Sequence, residues 1–254
     1  MIRDTWEGAI LGAVLGTLII PSVLKFIDLI RRWWRNSRPA RKLLQGIADQ
    51  NEKCKIFVRD FLITEGAELY SIEPRLGIGR VPNVHELWPD VEGRAVGNLL
   101  NIFGQIGKTK NVEVVRMSQD TGDWNCNVII LGAQAQKCFD FYKNMRNVAY
   151  RADAENIYDN TTGEIVERED GYGYGIILKA LNRFKTEGTQ GIGILIGGFG
   201  VLGTAAASYY FKENFGRLGK QFNRNFFGIV VRASVSAGEQ AVERLSNYDK
   251  VFGS

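Results

Sequence analysis

Hydrophobic and polar positions change their spacing several times along the chain, and each change marks a different kind of element. Residues 8–24 pass without a charge, and apolar character resumes after Lys25 through Phe26, Ile27, Leu29 and Ile30. A bilayer-spanning helix needs about 20 such residues, so the pattern predicts one transmembrane helix at the N-terminus. Lys25 can snorkel toward the headgroups, Trp33 and Trp34 suit the interface, and Pro21 offers a kink near the inner end. Arg31, Arg32, Arg35, Arg38, Arg41 and Lys42 follow the apolar run, whereas only Arg3 precedes it. A secretory signal has its basic residues first and a small-residue cleavage site afterwards, so the segment is read as a retained anchor. The positive-inside rule then puts the N-terminus outside and the bulk of the chain in the cytoplasm.

Beyond the anchor, "RPARKLLQGIADQN" reads as a basic linker running into a short helix. The chain therefore divides into residues 1–43, membrane helix and juxtamembrane linker, and residues 44–254, a cytoplasmic domain. "KCKIFVRDFLI" and "ELYSIEP" have the aromatic and β-branched content of strands. "DVEGRAVGNLLNIFGQIGK" sets Val96, Leu99, Leu100, Ile102, Phe103 and Ile106 at helical spacing, with Gly107 as a stop. "NVEVVRM" is a further strand, and "NCNVIILG" is a short continuous apolar run of the kind buried on both faces of a sheet. "AQAQKCFDFYKNM" follows as a helix.

"NIYDNTTGEIVERED" reads as an acidic hairpin turning at residues 160–163, its acids forming a solvated face, and "GYGYGIILKAL" returns to a strand. The second apolar run, "GIGILIGGFGVLGTAAASYYF", has six glycines in its first thirteen residues, which counts against another membrane span. It reads instead as a buried strand at 192–196, a turn at 197–203 and a helix from Thr204. "NFFGIVVRASV" gives one more strand and "GEQAVERLSNY" a last amphipathic helix. Alternating strands and helices with right-handed crossovers predict an α/β fold: a Rossmann-like, three-layer, mostly parallel sheet with a β-hairpin insertion.

Charge sharpens this division. The chain carries a net +4, of which residues 1–44 supply eight Lys/Arg against three Asp/Glu, so the remainder is close to neutral. A domain without a basic excess is a poor nucleic-acid binder, and nucleic acid is not expected as a direct ligand. Cys54, Cys126 and Cys138 are odd in number and lack CxxC spacing, which fits free thiols. His85 is the only histidine, which excludes a histidine-based zinc cluster. No metal site and no certain cofactor is expected.

Three glycine-rich turns are the candidate ligand contacts. Gly198, Gly200 and Gly203 match GxGxxG between a strand and a helix beginning at Thr204, where backbone N–H groups and the helix dipole favour a phosphate. The ribose-binding acid expected about 20 residues later is replaced by Arg232, which can accept a phosphate. Gly77, Gly79 and Arg80 fall in what reads as a surface loop beyond a strand. Gly132 and Gln134, followed by Gln136, end a central strand where open α/β sheets place ligands. Together these turns can line one crevice for a nucleotide-like ligand. The acids near the central strands, Asp120, Asp123 and Asp140, have no recognisable catalytic partner, and no HExxH, GxSxG or Walker lysine motif occurs. No catalytic residue is assigned.

Gly8, Gly12 and Gly16 recur every fourth residue in the anchor. They share one helix face and make a smooth groove in which a second backbone can approach closely. Self-association into a homo-oligomer in membrane lipid is the expected consequence.

This groove, the turns "ILGAQAQ" and "ILIGGFGVLGTAAA", and the order of anchor, basic linker and α/β domain resemble the membrane-anchored effectors of prokaryotic antiviral defence systems. The resemblance implies a cytoplasmic domain that senses a nucleotide signal or an activated protein partner, and helices that then assemble and disrupt the bilayer. Two other readings remain open: a membrane-tethered enzyme acting on a nucleotide or nucleotide-sugar, and an adaptor without a small ligand. If the groove drives assembly, Gly12→Leu abolishes dye release from vesicles carrying the full chain while its circular dichroism is unchanged; undiminished release contradicts a packing role for the groove.

Overall fold

The computed structural model describes residues 20–59, 61–62, 70–73, 77–80, 86–87, 90–117, 122–133, 136–153 and 156–253. Among the described residues no helix is long and apolar enough to cross a membrane. The predicted span lies mostly outside them, as do Gly8, Gly12, Gly16, His85, Asp120 and Gln134.

The basic stretch expected as a linker is part of one unbroken helix, α1 (Ile20–Leu44), which passes through Pro39. Proline inside a helix lacks the N–H for the preceding turn and costs about 3 kcal/mol. Packing offsets that cost: Ala40, Leu43 and Leu44 are fully buried, and a buried leucine contributes about 1.5–3 kcal/mol. A 3₁₀ turn, Gln45–Ala48, leads from α1 to the first strand.

Strand β1 (Cys54–Val58) is buried along its whole length. Two small antiparallel ribbons follow, Phe61–Leu62 with Glu86–Leu87 and Tyr70–Glu73 with Gly77–Arg80. Helix α2 (Asp90–Ile106) buries Ala95, Val96, Leu99, Ile102, Phe103 and Ile106 and leaves Leu100 exposed. It stops where Gly107 turns to φ +76°. Strand β2 (Val112–Arg116) lies parallel to β1, and β3 (Asn127–Leu131), buried throughout, lies parallel to β1 on its other side. Helix α3 (Gln136–Asn144) follows.

The expected hairpin is a ribbon of Tyr150–Ala152 and Ile157–Asp159, extended by a bridge from Tyr158 to Ile165 around the turn at Gly163. One of its acids departs from a solvated face. Asp159 is buried beside Lys250, 2.6 Å away. Burial opposes its charge, but the bonds from Lys250 and Thr161 prevail and hold it down at about 2.

Strand β4 (Tyr172–Leu181) pairs antiparallel with β5 (Ile192–Gly198), which pairs parallel with β3. Helix α4 (Gly200–Phe222) then crosses to β6 (Phe226–Ser234), antiparallel to β4 on its far side. Of the six long strands, β1, β2, β3, β5 and β6 therefore point one way and β4 runs against them. This is a mixed α/β fold around a mostly parallel central sheet. The predicted last helix is instead a 3₁₀ turn (Glu239–Ala241) followed by two short edge strands, β7 (Glu243–Arg244) and β8 (Lys250–Phe252), joined by a second 3₁₀ turn at Ser246–Tyr248. Ala241, Val242 and Leu245 are spaced as on a helix, yet β6 offers unpaired backbone groups, and pairing with them settles the segment as strand.

Each sheet face has its own core. On one face α1, α2 and α4 cover Ile56, Ile129, Ile194 and Ile229. On the other, α3 and the ribbon cover Phe57, Val128, Ile130, Leu195 and Val230. Adjacent residues of β3 and β5 thus enter opposite cores, the period of two that a pleated strand imposes. None of the three cysteines forms a disulfide and all are buried, and burial pushes the Cys54 thiol up to about 12.

Helix α1 crosses α4 with backbone close to backbone. A side chain at Gly219 would overlap the carbonyl of Pro39. Gly219→Val should therefore lower unfolding free energy by roughly 2–3 kcal/mol, read as a lower urea midpoint; an unchanged midpoint would show that the crossing is loose.

Candidate functional site

Because five long strands share a direction, their carboxyl ends gather at one edge. Gly198 of β5 faces Gly175 of β4, which in turn faces Val231 of β6, next to Arg232. Gly132 follows β3 and its N–H donates to the Ile196 carbonyl at 2.9 Å. The structure thus brings together Gly132, Gly198, Gly200, Gly203, Thr204 and Arg232. Gly77, Gly79 and Arg80 belong to a separate two-stranded ribbon. They form its return strand rather than the expected loop, with Gly79 opposite Ser71 and Gly77 opposite Glu73.

The GxGxxG glycines have unequal roles. A Cβ on Gly198 or Gly203 would overlap the Tyr174 carbonyl, so both exist to seat α4 against β4. Phe199 N–H donates to that same carbonyl at 2.9 Å, which ties the turn to the sheet. Gly197 meets the Gly132 carbonyl just as closely. Gly200 has open space around it and a φ of +59°, so backbone handedness is what it supplies. Thr204 is buried in the first turns of α4.

Two arginines at this edge, Arg232 and Arg94, face carboxylates. Arg232 donates to Glu169 at 2.6 Å and to Glu243 at 2.5 Å, and stacks over Tyr172 with 4.5 Å to the ring centre. Those two bonds, with Tyr174, raise its already high pKa. Arg94 pairs with Asp90 at 3.1 Å and with Glu239. Arg168 lies over the Phe199 ring at 4.4 Å. A phosphate approaching Arg232 would have to displace a glutamate.

Glu92 was not legible as a site residue. Only 1 % of it is exposed, and its carboxylate accepts the Arg59 N–H at 2.5 Å and lies 3.2 Å from Arg59 Nε. It sits just below Gly132, 3.6 Å from where a Cβ there would be. Its one sequence signal is an acid on the otherwise apolar buried face of α2. Asp123, by contrast, is a turn residue. It accepts the Asn125 N–H at 2.9 Å, which together with Lys55 holds its carboxyl below the usual range. Asp140 lies 3.8 Å from Lys137.

On the opposite face a cavity of about 690 Å³ opens between α3 and the ribbon, lined by Phe139, Tyr142, Lys143, Arg151 and Tyr158 among others. Arg151 stacks on Tyr158, 5.0 Å from the ring centre, and Phe139 is 44 % exposed. Aromatic faces, two cations and the acid Asp153 share this lining, so stacking on a planar ligand is favoured over selection by charge. No family model matches the chain, and no curated protein matches it.

The glycine contacts separate packing from ligand contact. Gly203→Ala should unfold the domain or lower its stability by roughly 3 kcal/mol. Gly200→Ala should cost only about 1–2 kcal/mol of left-handed strain. Equal thermal melting of the two variants would refute the packing role.

Proposed function

We propose that the chain is a membrane-anchored effector whose α/β domain senses a nucleotide-like ligand or a protein partner and drives self-association of the N-terminal helix, disrupting the bilayer as in antiviral defence. The observation that carries this reading is the continuity of α1. Its C-terminal turns are core residues of the domain, while Val23, Leu24 and Ile27 toward its other end are 48 %, 59 % and 38 % exposed. Exposed apolar groups on a rod rooted in a folded domain need lipid or another copy to cover them. A helix that enters the core without a flexible joint converts a small rotation of the domain into a displacement of the far end, and so a ligand-induced change in the domain can bias assembly.

The reading places the anchor outside the described residues, in the apolar run whose glycines at 8, 12 and 16 form the self-association face. An added flexible joint tests it. A Gly-Ser insertion of about six residues between Arg35 and Asn36 should abolish dye release from vesicles while leaving membrane attachment and domain folding unchanged. Release at the original rate would show that the helix is only a tether, as for a membrane-bound enzyme.

A further inference from the structure

At the amino edge of the sheet, opposite the glycine turns, α1 ends in a strained way. Gln45 takes a φ of +46° just after the last helical residue, a position where glycine is usual and other residues are strained. Its side-chain Nε2 donates to the Arg224 carbonyl at 2.9 Å, but its Oε1 is buried with no hydrogen-bond partner. A buried acceptor without a donor is costly, and strain of this kind gathers at binding sites.

Gln45 lines a cavity of about 670 Å³ with Arg41, Lys42, Thr189, Gln190 and Arg224. None of these residues is acidic. The nearby Glu52 is already engaged, accepting the Thr189 N–H at 2.8 Å and pairing with Lys185 at 2.9 Å. Arg41 turns Nε and Nη2 to the Ile106 carbonyl at 3.1 and 2.7 Å, leaving Nη1. Behind the wall Lys179 is fully buried and donates to the same Arg224 carbonyl at 2.9 Å. Burial, with the Arg224 charge, brings it down to about 7. Three cations without an acid select an anion, and a lone amide acceptor selects a hydroxyl or amine hydrogen beside it.

We propose that this cavity binds a small phosphate-bearing molecule that also carries a hydroxyl or amine donor, such as a nucleotide or sugar phosphate. The proposal rests on the effector reading and names where its ligand sits. The cavity joins the last turn of α1 to the α4–β6 turn at Arg224 and to the β4–β5 loop at Thr189 and Gln190, so an occupant would clamp the root of the helix to the sheet. Arg41 lies seven residues beyond the interfacial Trp34, roughly 10 Å along a helix, so the experiment must separate a free ligand from a lipid headgroup of the same chemistry.

The test uses the full chain in detergent, titrated calorimetrically with pyrophosphate. Saturable binding is expected, weakened at least tenfold by Arg224→Gln and by Lys42→Gln and unchanged by Lys212→Gln. If only vesicles containing a phosphatidylinositol phosphate bind, and the same two variants weaken that binding, the site stands and its phosphate comes from lipid. Binding indifferent to both variants, or none to either probe, overturns the site. Dye release separates the two ideas. A chain that binds pyrophosphate through these residues yet never permeabilises vesicles sinks the effector reading alone, and one that permeabilises them without such binding sinks the site alone.

Discussion

The approach of α1 to α4 at Pro39 and Gly219 is the constraint on which the rest of the architecture depends. Backbone meets backbone there, because Gly219 has no side chain and Pro39 is held in a helix that only packing can sustain. The contact roots the N-terminal helix in the domain and completes the layer in which α1, α2 and α4 shield one sheet face. Arg41 extends the joint by donating to the carbonyl of Ile106 at the end of α2. Helix α1 is therefore part of the core at one end, while Val23, Leu24 and Ile27 toward the other are exposed.

The same economy of side chains governs the carboxyl edge. Gly197, Gly198 and Gly203 let β5, β4 and the first turn of α4 approach through their backbones, which accounts for the glycine pattern without a ligand. The edge is also balanced in charge, with Arg232, Arg94 and Arg59 each facing a carboxylate. The cavity at the amino edge is the reverse: its lining has cations and no acid, with a strained Gln45 and an unanswered acceptor.

Several features of the candidate sites were legible in the chain. The buried strands β3 and β5 follow from continuous apolar runs, and the clustering of Gly132, Gly198 and Arg232 at one edge follows from strand direction. Glu92 was not, because a single acid in an amphipathic helix looks like any other until its burial is known. The cavity beside Arg151 and Tyr158 was hidden for a similar reason. It is formed by α3 and a ribbon whose residues, read locally, belong to a solvated excursion. Gln45 gives no sequence signal at all, since its bond to the Arg224 carbonyl joins residues 179 apart in the chain.

Hydrophobic periodicity by itself determined the alternation of strands and helices, the two-sided burial of the central strands and the turn chemistry at Gly107 and Gly163, because these depend on neighbours within a few residues. Tertiary structure decided what local pattern cannot encode. It carried α1 through Pro39, ran β4 against its neighbours, and drew residues 239–252 into edge strands in place of a helix. In each case the energy of burying a surface or pairing a strand, supplied by residues far along the chain, exceeds the local preference of a proline, a loop or an amphipathic spacing.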